Sequence, residues 1–215
     1  MLRNRIAIAV LLGLGLLALA APAAAQQPQR PLDHEAEYGA CMQLARHDPR
    51  AAEDSARAWL GLGGGEPAKH CIAVSLIGQQ RFAEAAEMLE ELASGMKEPI
   101  ARLQSEMMAQ AGQAWMLADN SGRALQAQTK GLAYQPDNIE LLVDRSITHA
   151  TREEFWDAVD DLDKAHEMNR VRIDVLVLRA SAYRRLDAVE RALDDPNRAL
   201  ELDPENVDAL YNLAR

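Results

Sequence analysis

From Ile173 to Asn206 the apolar positions fall on two helical faces separated by a short turn. Leu176, Ala180 and Tyr183 share one face, Ala192 and Ala199 share a second, and Asp203 and Pro204 close the pair where proline cannot continue a helix. Stepping back 34 residues from Ala180, Ala192, Ala199 and Pro204 gives Ser146, Ala158, Ala165 and Arg170, and a second step gives Gly112, Ala124, Gly131 and Pro136. All but Arg170 are small or proline. Two helices that cross closely leave no room for a long side chain, so this recurrence predicts stacked antiparallel helix pairs. Large residues, Met108, Leu142, Leu176 and Leu162, fill the space between crossings. A further unit begins at Glu66 with Ala73, Phe82, Ala85 and Leu89, joined to the next by a five-residue insertion around Pro99.

This pattern resembles the tetratricopeptide repeat (TPR), in which a large residue at place 4 and small residues at places 8, 20 and 27 recur in units of about 34. The resemblance is strong from Ser105 onward and implies an all-α, right-handed superhelical solenoid of antiparallel hairpins over residues 33–215. The expected repeats are 66–104, 105–138, 139–172 and 173–206. They follow a degenerate first repeat over 33–65 that ends at Gly61 and Gly63 to Gly65, and precede the start of a further or capping helix over 207–215.

Before the repeats, Arg3 and Arg5 precede an uncharged apolar run from Ile6 to Ala20 and a small-x-small site at Ala23 and Ala25. This reads as a cleavable signal peptide over 1–25, the apolar run being shorter than the roughly 20 residues of a membrane span. A polar, proline-bearing tether over 26–32 follows, and the expected destination is the periplasm or the exterior. The chain carries a formal charge of −10 and the leader contributes only positive charge, which argues against nucleic acid and anionic lipid as partners. Cys41 and Cys71 fall in first helices of adjacent repeats, and in an oxidising compartment they are expected to form a disulfide; the other reading is two buried thiols.

No catalytic constellation is present in the sequence. His166 and Glu167 open a zinc-protease-like run, but Arg170 stands where its second histidine belongs. Lys69 and His70 follow the glycines at the wrong spacing for a phosphate loop. The five histidines are scattered, and Asp157, Asp160, Asp161 and Asp163 suit a solvated helix face better than a calcium loop. The chain is therefore expected to be no enzyme and to hold no metal or cofactor.

What remains is surface. In the family the first helices line a concave groove that binds peptides or helices, and the matching positions here are Ala109, Val143 and Val177 at place 5, Gln113, Ile147 and Ser181 at place 9, and Met116 and Arg184 at place 12. Glu106, Glu140 and Asp174 at place 2 make an acidic column, read either as a partner-facing edge or as carboxylates favoured by the helix dipole. The lining suits an apolar or amphipathic segment, and the lysines and asparagines of a carboxylate clamp are absent. Pro196 stands mid-helix at place 24, which predicts a kink there or a restart with Asp195 as cap. The expected function is a protein-binding scaffold of the cell envelope; the alternative is the regulatory or substrate-recruiting arm of an enzyme complex or of a longer chain.

Overall fold

The computed structural model describes residues 33–97 and 99–214; the expected leader and tether lie outside the described residues. Eleven helices follow one another among them: α1 (His34–His47), α2 (Pro49–Gly61), α3 (Gly65–Gly78), α4 (Phe82–Ser94), α5 (Ala101–Leu117), α6 (Ser121–Tyr134), α7 (Ile139–Thr151), α8 (Phe155–Met168), α9 (Ile173–Arg185), α10 (Val189–Leu202) and α11 (Val207–Leu213). Each packs on the next, and the odd-numbered helices also touch one another across the stack. None of the helices described is long and apolar enough to cross a membrane.

The small residues sit where the spacing puts them. Ser146, Ala158, Ala165, Ala180 and Ala199 are at most 1% exposed, and so are Met108, Leu162 and Leu176 between them. The crossings are close enough to be selective: a Cβ on Gly131 would lie 2.5 Å from Leu141 Cδ2, and one on Gly112 2.7 Å from Gln128 Cγ. The core is consequently a series of local clusters, each shared by neighbouring repeats, as a solenoid requires.

The turns repeat as well. Asp119, Glu153 and Asp187, spaced by the same period, end their hairpins' first helices with φ of 56°, 62° and 54°, and Gln80 does so in the unit before them at 61°. Asn138 and Asn206 cap α7 and α11 by accepting the backbone N–H of Leu141 and Ala209. At the equivalent place before α9 stands Arg172, which forms no cap and reaches carboxylates instead.

Three details differ from the sequence expectation. α5 begins at Ala101, a turn before the expected repeat boundary, because the residues after Pro99 contain no helix breaker and extend the helix. α10 runs unbroken through Pro196, so Asp195 does not restart it; Asp195 is 6% exposed and accepts the Arg179 guanidinium. The acids of α8 are not simply a solvated face, since Asp161 is 2% exposed and paired with Arg145, and Asp163 is bonded by Arg179.

Candidate partner-binding groove

The odd-numbered helices place the expected groove residues in three environments. Those at place 5 are drawn inward: Val143 belongs to the cluster between α7 and α9, Ala109 packs against that cluster, and Val177 packs beneath α11. The reason is that place 5 adjoins the large residue at place 4, and neighbouring first helices approach closely enough to cover both. Gln113 is exposed and donates from Nε2 to Asp144 Oδ2 at 2.9 Å, while Met116 packs on the cluster shared by α4 and α5. Burial, more than the nearby Glu140 charge, pushes the Asp144 carboxyl up.

The place 2 column is already engaged. Arg102 pairs with Glu106, and Arg172 reaches both Glu140 and Asp174, so one guanidinium joins the first turns of α7 and α9. Its bonds hold the Asp174 carboxyl below the usual range, and Asp174 and Glu140 together raise the Arg172 pKa.

Ile147, Ser181 and Arg184 are brought together. They line a cavity of about 360 Å³ between α7 and α9, with Ala150 beside them, Phe155 and Leu162 of α8 behind, and Arg185 at its edge. Ile147 is 42% exposed. The Arg184 guanidinium lies 5.3 Å from the Tyr211 ring centroid, and its Nη1 is buried with no hydrogen-bond partner. Arg185 lies over Phe155 at 4.6 Å. The cavity thus combines an apolar floor with two cations.

Two features escaped the sequence reading. Arg145 binds Asp161 through Nε and Nη2 at 2.7 and 2.6 Å and reaches Thr129 at 3.2 Å; Arg179 repeats this with Asp195, at 2.7 Å for both bonds, and Asp163. Each member of the second set lies 34 residues after its counterpart, which was a signal in the sequence. The other is a group formed by His149, Glu154 and Asp157, whose ligand atoms lie within 4.8 Å of one another. Glu154 there is already bound by Arg152 and by His149 Nδ1, which lower its pKa.

No family model and no curated protein matches the chain. Solved structures do. YrrB, a TPR protein with an unusual peptide-binding site, superposes with a TM-score of 0.68 over 85% of this chain and 93% of its own, at 15% identity. The chain has the fold of a tetratricopeptide repeat solenoid. A MamA RS-1 double mutant aligns with the same TM-score over 80% of this chain and 94% of its own length, at 12% identity. The first TPR of Spaghetti (RPAP3), bound to the HSP90 peptide SRMEEVD, aligns with 51% of it at 26% identity, with 87% of its own length covered and a TM-score of 0.50.

On α1 and α3 of this TPR chain, Cys41 and Cys71 form a disulfide with a Cα–Cα distance of 6.3 Å, both residues being buried.

Proposed function

We propose that this TPR chain is an exported, non-catalytic scaffold of the cell envelope that holds a peptide or helix segment of another protein in its groove. The observation that carries the reading is the cavity between α7 and α9, which exposed Ile147 lines together with Arg184, a cation in no ion pair among the described residues. An apolar segment with a carboxylate or carbonyl nearby would supply what both lack. Binding of peptides by YrrB and Spaghetti supports the mode. The leader-like pattern of residues 1–25 and a disulfide between the only two cysteines support export. A specific observation also favours the recruiting-arm reading: Val207 and Leu210 of α11 are exposed, a face that a partner subunit would cover.

The test is site-specific crosslinking in cells from position 147, compared with an Ile147→Arg variant whose melting temperature is unchanged. A defined partner lost in the variant supports the scaffold. Crosslinks that are absent from position 147 and from 181 overturn it, and an enzyme captured at position 207 instead selects the recruiting arm.

A further inference from the structure

A second cavity, of about 380 Å³, opens where α1, α3 and α5 begin. Its walls are Pro67, Leu92, Met96, Leu103 and Met107. The insertion between α4 and α5 falls at this junction, and the first turn of α5, which begins at Ala101, carries Leu103. The volume lies within the range of ligand pockets, roughly 300–1,000 Å³, and accommodates one large side chain and its neighbours.

The polar groups at its floor are already satisfied. Tyr38 Oη and His70 Nδ1 lie 2.7 Å apart, and His70 Nε2 and Gln110 Oε1 3.1 Å apart. A neutral imidazole that accepts from Tyr38 and donates to Gln110 fills both bonds, and burial favours that neutral form. An apolar occupant therefore displaces water without stranding a donor or acceptor. The rim is different. Glu35 and Glu66 border the opening, and neither is in an ion pair among the described residues; Glu66 accepts the backbone N–H of Lys97.

We propose that this cavity is an anchor socket for an apolar side chain flanked by lysine or arginine in a partner segment. The apolar walls select the anchor, and the two unneutralised carboxylates select the flanking charge. The proposal rests on the reading that the chain binds a partner segment, and it assigns that segment a chemistry opposite to the one favoured beside Arg184.

The test uses three fluorescein-labelled dodecapeptides that differ only in pattern: leucine with lysine, leucine with glutamate, and serine with lysine. In anisotropy titrations the leucine–lysine peptide is expected to bind at least tenfold tighter than the other two. Glu35→Gln with Glu66→Gln is expected to weaken it about tenfold and flatten its salt dependence, and Leu103→Trp, which fills the socket, to weaken it similarly without changing the peptide's charge preference. Equal binding of the serine–lysine peptide overturns the apolar anchor, and equal binding of the leucine–glutamate peptide overturns the charge selection. A dimer that Leu103→Trp dissociates gives the socket to a second copy and overturns the proposal. Binding abolished by Ile147→Arg but untouched by the socket variants also overturns it, while leaving the scaffold reading intact. Loss of crosslinks at positions 147 and 181 with intact socket binding ends the scaffold reading at that groove and leaves the socket.

Discussion

Replacing Asp161 by Asn tests whether the repeated arginine–aspartate pair holds the later repeats together. The Asp161 side chain is 3% exposed and that of Arg145 is 17% exposed, and both bonds of the fork are made at hydrogen-bonding distance. Asn keeps the shape and one acceptor oxygen but removes the charge and turns an NH2 toward the guanidinium, whose second bond only Thr129 and limited solvent contact can replace. Breaking one partner of a buried pair costs about 3–5 kcal/mol, and the residual exposure of Arg145 places this site near the lower end. For a chain of this size that amounts to a melting shift of roughly 6–12 °C. The control is Arg145→Met with Asp161→Leu, which removes both charges and is expected to recover most of the loss, since a well-packed apolar pair often matches a buried ion pair. Urea melts of Arg145→Met, of Asp161→Leu and of the double variant give the coupling energy directly. An Asp161→Asn cost below about 1 kcal/mol, the value of a surface pair, would refute the reasoning.

Three other outcomes follow from the structure. Reducing the Cys41–Cys71 bridge, whose cysteines are 30 residues apart, is expected to cost about 3.6 kcal/mol on the chain-entropy model, with faster hydrogen exchange confined to α1 and α2; uniform exchange across all repeats would contradict it. Gln128 is 1% exposed and its Oε1 has no partner, so Gln128→Met is expected to raise stability by about 1 kcal/mol in a denaturant melt, and a loss would show that the amide is needed. Burial lowers the pKa of His70 and His166 below 6.5, so the unfolded chain takes up protons first; the melting temperature is expected to fall as pH drops below about 6.5, and His70→Gln to reduce that slope.

The stacking was legible because it rests on size. Ser146, Ala158 and Ala165 had to be small wherever the helices crossed, and a single period located them without any knowledge of partners. The pairing of charges was not legible in the same way. Arg145 and Asp161 are polar residues inside helices, which amphipathic patterning assigns to the surface, and only their joint recurrence as Arg179 and Asp195 marks them as part of the repeat. Arg172 adds what the acidic column did not show: it pairs with Glu140, 32 residues before it, through a side chain whose rotamer no spacing rule specifies. Val143 likewise obeys the register yet turns into the core, because register fixes a residue's place on its helix and the approach of the next helix decides whether that place is open.

Different devices couple the repeats along the chain, and this bears on the proposed socket. In the first two repeats the disulfide is joined by Glu53, 8% exposed, which accepts from Arg57, Gln79 and Arg81 and so ties α2 to α3 and to the start of α4. In the last three, Arg145 reaches back to Thr129 and Arg179 back to Asp163, each guanidinium holding its own repeat to the one before. Between them, where the insertion falls, Glu90 accepts from Trp115 and Arg123, and the chain from Tyr38 through His70 to Gln110 crosses only the floor of the cavity, leaving the walls beside Leu103 and Met107 apolar. A side chain entering there meets an apolar wall whose flanking repeats are each fixed by their own ties. Little ordering of the scaffold is then needed on binding, and the gain from burying an apolar anchor is retained in affinity instead of being lost to that ordering.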